Sequence, residues 1–197
     1  MKQEKKQKRV QRESLSYTVE VRDKEGRVIQ RISAPSRSYV EQWNQLLNVH
    51  ASQANKTIRD TQGNEYSITT HAYNLCCNAA IGVITYGIRI GKGTTAVAID
   101  DYALESPVGE GVGLDEFNHQ AMVFTEPSVA GSTCSFKLRR TMINNSGATI
   151  TGIRELGCYV RLAATYYGLG FRDVLGSGCD VPDGGAITVE YTLGVTA

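Results

Sequence analysis

Short alternating segments separated by glycine turns occupy residues 87–197 of the chain. Three of them share one order, in which a turn of Gly, Asn or Asp is followed by a run rich in Thr, Val and Ile: residues 91–99, 144–151 and 182–191. Glycine and asparagine adopt the positive φ that tight turns need, and β-branched residues suit a pleated, half-buried surface. The pattern therefore predicts a mainly β protein, folded as an antiparallel, jelly-roll-like β-sandwich.

The chain before this region is predicted to add a hairpin and the single helix. Alternating apolar and polar residues over 15–33 predict the hairpin. Apolar residues at a 3–4 spacing over 38–50 predict the helix. Ser38 and Glu41 have the spacing of a capping box, in which side chains satisfy the free N–H groups at a helix start.

Residues 57–60 and 65–68 predict a second hairpin, and residues 71–83 fit either a strand or a covered loop. Glycine-rich residues 109–114 and 175–180 are expected to form surface loops. Further strands are expected at 86–90, 95–99, 120–125, 132–140, 148–161, 169–174 and 186–195. The predicted organisation has three parts: a basic arm (1–14), a hairpin–helix–hairpin region (15–86) and a sandwich module (87–197).

Positive charge is concentrated at the start of the chain. Residues 1–12 carry six Lys or Arg against one acid, a net charge of +5, so with +1 overall the other 185 residues carry −4. A basic arm on a mildly acidic body indicates binding to nucleic acid or to an acidic protein surface. A solvated leader that aids solubility is the alternative. The predicted partner-binding residues are Lys2, Lys5, Lys6, Lys8, Arg9 and Arg12.

The five cysteines show no C-x-x-C spacing, and Cys76 and Cys77 are adjacent. This pattern does not suit a disulfide framework, so we expect reduced cysteines, with Cys134 and Cys158 in the core. No apolar segment of the signal-peptide type follows the charged start, and residues 75–84 are too short to span a bilayer. We therefore expect synthesis in the cytoplasm and no membrane partner.

No arrangement of residues typical of catalysis or metal binding is apparent. None of the three histidines has a Cys or carboxylate partner at a metal-motif spacing. Asp100 and Asp101 suit a turn that ends a strand better than a Ca²⁺ site. The acidic residues within 105–116 are expected to belong to a solvated loop. We predict no catalytic residue, no cofactor and no metal ion, and therefore a protein that is not an enzyme.

Tyr159, Tyr166 and Tyr167 are the candidate contact residues of the second half. Closely spaced tyrosines can form a stacking platform for sugars, but they also mark subunit interfaces, which suits the rest of the pattern better. Arg139 and Arg140 lie in a predicted strand, where charged residues can block unwanted pairing at a sheet edge or anchor an interface.

Over slightly more than half its length, the chain resembles a module of virion structural proteins of double-stranded DNA bacteriophages, among them tail and appendage proteins. The segments that carry the resemblance, by their order and spacing, are residues 91–104, 144–151, 155–159, 172–175 and 181–184. The resemblance implies a β-sandwich and a virion context. It implies no catalytic site, and no functional residue is carried over.

The expected function is therefore that of a virion structural protein. It would self-assemble as a homo-oligomer and dock on neighbouring particle proteins, as a tail, collar or appendage component, with its arm reaching a neighbour. The alternative is a glycan- or receptor-binding fibre module, or a capsid decoration module. In that case the contact regions would be Tyr166 and the loops 109–118 and 175–180.

Overall fold

The computed structural model describes residues 12–36 and 38–196, with only the backbone for residues 12 and 13. These residues form thirteen strands and one helix, which confirms the prediction of a mainly β protein with a single helix. The helix α1 spans Glu41–Ser52. The strands are β1 (Arg12–Arg22), β2 (Val28–Ser36), β3 (Lys56–Arg59), β4 (Glu65–Ile68), β5 (Gly87–Gly91), β6 (Gly109–Glu110), β7 (Glu116–His119), β8 (Val123–Phe124), β9 (Ser128–Ala130), β10 (Thr133–Ile143), β11 (Ile150–Arg161), β12 (Tyr167–Val181) and β13 (Ala186–Thr196).

The strands form two principal sheets and a small hairpin. The larger sheet has the order β2-β1-β13-β10-β7-β6, and β8 and β9 also pair with β10. The second sheet has the order β12-β11-β5, and β3 pairs with β4 alone. All pairs are antiparallel except β6 with β7.

The core lies between the two principal sheets. In β13 the buried residues alternate with half-buried ones, so Ile187, Val189 and Tyr191 face inward. The Tyr191 ring meets Phe171 of β12 with centroids 4.7 Å apart, and its hydroxyl donates to Asp173 Oδ2 at 2.9 Å. Side chains from both inner faces therefore pack against each other, which is the arrangement of a β-sandwich.

The hairpin at the start of the chain is part of this sandwich. β1 pairs with β13 through eleven residue pairs, from Arg12 with Thr196 to Arg22 with Ala186. It lies between β2 and β13, and its inward side chains are buried. The predicted regions 15–86 and 87–197 therefore share one sheet.

The helix α1 is confirmed, but its predicted capping box is wrong. Val40 is the N-cap and makes no side-chain cap bond. Ser38 Oγ instead lies 2.7 Å from Ser36 Oγ, in a network that ends on Asp173. Tertiary contacts satisfy the start of the helix, because the Glu41 N–H donates to the Ile99 carbonyl at 3.0 Å. In the described residues no helix has the length and apolar character that crossing a bilayer requires.

Arg172 of β12 organises a buried cluster of carboxylates. Its side chain is 2% exposed and donates through Nε to Glu155 Oε1 at 2.7 Å and through Nη1 to Asp101 Oδ2 at 2.9 Å. Its Nη2 lies 3.8 Å from Glu105 Oε2. Glu155 is fully buried and also accepts the backbone N–H groups of Glu105 at 2.7 Å and Ser106 at 3.1 Å. The cluster thus fastens the segment between β5 and β6 onto the second sheet.

Two glycines allow Glu155 to approach this segment. A Cβ at Gly91 would lie 2.5 Å from Ser106 O, and a Cβ at Gly93 would lie 2.6 Å from Glu155 Oε2. Any side chain there would collide with the cluster. The prediction that residues 91–99 form a turn followed by a strand is therefore wrong. Residues 92–99 contain no strand, and the glycines of this motif serve close packing against a buried carboxylate.

The prediction of a surface loop at 175–180 is also wrong, because β12 continues through these residues to Val181. Leu175 and Cys179 are buried there. The pairing of β11 with β12 has register shifts at three places, and such bulges add a local bend and twist to a strand. The glycines around Ser177 therefore belong to an irregular strand that still reaches the core.

Most of the other predicted strands are confirmed with shifted ends, as β1 to β5, β10, β11 and β13. The strand expected at 120–125 is present only as the two-residue strand β8, and β7 ends just before this range. Residues 71–83, for which a strand or a covered loop was expected, form turns and contain no strand.

Replacing Arg172 with methionine should destabilise the fold by about 3–5 kcal/mol, because Glu155 would remain buried without its cation. Urea denaturation followed by fluorescence would measure the loss. The matched control is Arg22→Met, which removes an exposed partner of Glu20 and should cost less than about 1 kcal/mol. A loss of that smaller size for Arg172→Met would contradict the role assigned to the cluster.

Candidate functional site

The three tyrosines predicted as contact residues line one pocket, which we call the tyrosine pocket. Tyr159, Tyr166 and Tyr167 surround a cavity of about 370 Å³ on the outer face of the second sheet. The β3–β4 hairpin forms the opposite wall, because the Thr61 N–H donates to the Tyr167 carbonyl at 2.9 Å. The remaining lining residues are Asp60, Gln62, Tyr66, Ile84, Thr85, Arg89 and Thr165.

The three tyrosines have different surroundings. Tyr166 is 36% exposed and stacks on Tyr66, with ring centroids 3.9 Å apart. Tyr167 lies parallel to Tyr86 at 5.8 Å. Tyr159 is buried, its hydroxyl accepts the Leu104 N–H at 2.9 Å, and burial raises its pKa. Tyr166 is therefore the accessible aromatic ring, whereas Tyr159 is a structural wall.

Polar groups complete the tyrosine pocket. Asp60 Oδ1 accepts the backbone N–H groups of Gln62 and Asn64, both at 2.9 Å, and so fixes the hairpin turn. The Arg89 guanidinium donates to the Ile84 carbonyl and, at 2.5 Å, to that of Val108, and burial lowers the pKa of Arg89. An exposed ring beside amide, hydroxyl and charged groups is the chemistry that binds polar, ring-shaped ligands.

A second surface, which we call the apolar groove, runs between α1 and the ends of β10 and β13. It consists of two adjoining cavities of about 490 and 380 Å³, which share Trp43, Phe136 and Leu193 as lining residues. The other lining residues are Tyr39, Leu47, Leu75, Cys76, Cys77, Asn78, Phe124, Pro127, Cys134, Ser135, Leu138, Phe171, Gly194 and Val195. Nearly all of these side chains are apolar or aromatic, so the groove exposes a continuous apolar surface.

The rim of the apolar groove is also apolar. Phe124 and Val195 are exposed, and Val129 of β9 is 75% exposed. β9 pairs with β10 along one edge and, within residues 12–36 and 38–196, with no strand along the other. An apolar groove with an apolar rim makes this surface a candidate contact region. The groove could not be predicted from the sequence, because its residues come from six separated segments.

The cysteines are all free, as predicted. Cys158 is buried in the core, which confirms its predicted place. Cys134 is only half-buried and lines the apolar groove, so its assignment to the core is wrong. The reason is that β10 runs past the core at this end of the sheet.

Arg140 is not at a sheet edge, because β10 lies between β13 and β7. Its side chain is fully buried, and burial lowers its pKa to about 10. The guanidinium donates to four backbone carbonyls at 2.6–3.2 Å, those of Ala80, Val83, Ile88 and Gln120. The residue therefore anchors the irregular segment before β5, whereas Arg139 is exposed.

His119 has a carboxylate partner that its sequence spacing did not reveal. It is fully buried, and its Nδ1 lies 2.7 Å from Glu110 Oε2. Burial, together with the positive charge of Arg140, lowers the pKa of His119 to about 4. The ring is therefore neutral at pH 7, and Nδ1 donates its proton to the carboxylate. The arrangement holds β7 against the short strand β6.

The remaining acidic residues act locally. Asp101 Oδ2 accepts the Ala98 N–H at 2.9 Å, which is the predicted turn role, and it also pairs with Arg172. Asp115 pairs with Lys92 at 2.5 Å, and Glu116 Oε2 accepts the Gly113 N–H at 2.8 Å. Within the described part of the chain, no group of three or more His, Cys, Asp or Glu residues is arranged to hold a metal ion.

Of the predicted arm residues, Lys2, Lys5, Lys6, Lys8 and Arg9 lie outside the described residues, and Arg12 begins β1. One feature of the sequence could have predicted the buried polar contacts of β12. Arg172 and Asp173 interrupt the apolar run of β12, and a charge pair inside such a run indicates buried polar contacts.

Comparisons of the chain with protein-family models, with curated proteins and with solved structures found no match.

Acid should weaken the fold through His119. Its folded pKa of about 4 lies below the ordinary 6.5, so the unfolded chain binds the proton more tightly. The stabilisation is complete above pH 6.5 and should fall by up to about 3 kcal/mol as the pH drops to 4.

Urea midpoints across pH 4–8 would measure this fall. Burial raises the pKa of Asp173, and this acts in the opposite direction. The His119→Asn variant, which keeps a donor for Glu110, isolates the histidine contribution. Equal pH slopes for His119→Asn and the unaltered chain would contradict the assignment.

Proposed function

We propose that the protein is a virion structural subunit that works by binding further copies of itself and neighbouring particle proteins. The β-sandwich fold and the resemblance to bacteriophage virion modules support this proposal. The observation that carries it is the apolar groove, which no described segment of the chain fills. In this proposal the protein acts in the virion, as a tail, collar or appendage component.

The contact chemistry of the groove suits a second copy of the same chain. The groove is concave around Trp43, Phe136 and Leu193, and its rim presents the exposed apolar side chains of Phe124, Val129 and Val195. One surface thus contains both the pocket and the projecting residues that a self-complementary contact needs. The exposed edge of β9 adds backbone donors and acceptors, which pair readily with a strand of another chain.

Removing apolar character from the rim should dissociate the assembly. In Phe124→Lys a charge would enter a contact that excludes water, and we expect the dissociation constant between copies to rise at least about tenfold. Multi-angle light scattering over a range of protein concentrations would measure the change, and electron microscopy would show the assembly.

Leu114→Lys is the matched control, because Leu114 is 78% exposed and lies in a loop away from the groove. It should assemble as the unaltered chain does. A chain that stays monomeric at every concentration and salt would contradict self-assembly. An assembly that tolerates Phe124→Lys would exclude the groove as its contact.

The second candidate function is glycan or receptor binding by a fibre or decoration module. The observation that favours it is the tyrosine pocket, which brings Tyr159, Tyr166 and Tyr167 together with Asp60 and Gln62. The loop 109–118 is not part of its lining, and residues 175–180 belong to β12. A glycan site at this place would therefore depend on the β3–β4 hairpin.

Binding at the tyrosine pocket should depend on Tyr166. We expect Tyr166→Ala to weaken the binding of a glycan selected from an array at least about tenfold, because an aromatic anchor is lost. Tyr73→Ala serves as the control, since Tyr73 is exposed and lies outside the pocket lining. An array without specific ligands, or equal binding by both variants, would exclude this function.

A further inference from the structure

A buried carboxylate that has no ion-pair partner among the described residues opens into another cavity of the sandwich. Asp173 is 7% exposed and lines a cavity of about 730 Å³, to which Tyr17, Pro35 and Ser38 also contribute. Its Oδ2 accepts hydrogen bonds from Ser36 Oγ at 2.8 Å and Tyr191 OH at 2.9 Å. Among the described residues, no cationic side chain forms an ion pair with it.

This arrangement leaves the Asp173 charge poorly compensated. Burial raises the pKa of its carboxyl, while hydrogen bonds from Ser36, Ser38 and Tyr191 act in the opposite direction. Hydroxyl donors offset part of the cost of burying a carboxylate, but a cation offsets more. Arg154 lines the same cavity, yet its guanidinium donates to the carbonyls of Leu175 at 3.2 Å and Gly176 at 3.0 Å.

The first described strand passes close to this cavity. β1 pairs Leu15 with Ser36, whose hydroxyl binds Asp173, and it stays paired as far as Arg12 with Thr196. Three residues of strand separate Leu15 from Arg12, about 10 Å. Residues 1–11 precede this end of the strand, and eleven residues in extended form span up to about 36 Å.

We propose that a lysine side chain from residues 1–11 of a second copy binds Asp173 in this cavity. The arm contains Lys2, Lys5, Lys6, Lys8 and Arg9, so its charge complements the carboxylate. Each copy gives an arm and receives one, so two copies can exchange arms reciprocally, in agreement with the self-complementary contact proposed above. This inference rests on the proposed self-assembly and names one of its contacts.

Zero-length carbodiimide cross-linking of the assembled, full-length protein tests the contact. The reagent joins a carboxylate to a lysine amine only when the two touch. Equal amounts of ¹⁴N- and ¹⁵N-labelled chains are assembled together and analysed by mass spectrometry. We expect isotope-mixed links between Asp173 and one of Lys2, Lys5, Lys6 and Lys8.

Variants then separate the contact from the fold. Asp173→Asn keeps the acceptor for Ser36 and Tyr191 and should remove the link and weaken assembly at least about tenfold. Asp180→Asn, at an exposed residue of the same strand, should leave both unchanged. Changing the four arm lysines to glutamine leaves the described body untouched and should weaken assembly as Asp173→Asn does.

Three results would overturn the inference while the proposed function stands. The first is assembly without any link at Asp173, and the second is links only within single chains. The third is a link that appears only in Arg37→Gln, since Arg37 of the same chain would then be the partner of Asp173. A chain that never assembles would instead contradict the proposed function itself, and light scattering of the same samples distinguishes that case.

Discussion

The Arg172 cluster is the interaction on which the outer face of the second sheet depends. By binding Glu155, Asp101 and Glu105, one guanidinium holds a segment that forms no strand of its own until β6. That segment supplies the Leu104 N–H that fixes Tyr159 and the Ile99 carbonyl that receives the start of α1. A tyrosine wall and a helix end are thus positioned through a single buried cation.

The same segment also forms one wall of the Asp173 cavity, through residues 94–99. Asp173 and Arg172 are neighbours in β12, but alternation along a strand sends them to opposite faces. Arg172 faces outward to three carboxylates, while Asp173 faces the interior and hydroxyl groups. Two adjacent charges therefore have opposite electrostatic surroundings, one rich in counter-charge and one poor in it.

Local pattern predicted the regular part of this fold well. The alternation in β1, β10 and β13 and the 3–4 spacing in α1 are signals that a strand or helix carries within itself. The errors have one cause. In each case a residue with the local pattern of a turn or a cap makes a tertiary contact instead. Gly91 and Gly93 resemble turn glycines, but they leave space for Glu155. Ser38 has the spacing of a helix cap, but it bonds to Ser36.

The candidate sites show the same limit. The tyrosines at 159, 166 and 167 are close in sequence and were predicted as a group, whereas the apolar groove unites residues from α1, β10, β12, β13 and two intervening segments. Sequence spacing does not show which distant segments come into contact in the folded protein. Likewise, the Glu110 partner of His119 is nine residues away and follows no metal or catalytic spacing.

The position of β1 between β2 and β13 determines when the larger sheet can fold during synthesis. The first described strand can pair with the last one only after both have been synthesised, because Arg12 pairs with Thr196 across nearly the whole chain. Contacts between such distant residues form slowly. The larger sheet cannot be completed on the ribosome until residue 196 has emerged, so an interrupted translation product lacks β13, the strand that lines both the core and the apolar groove. The proposed assembly would thereby be restricted to chains synthesised through their last described strand.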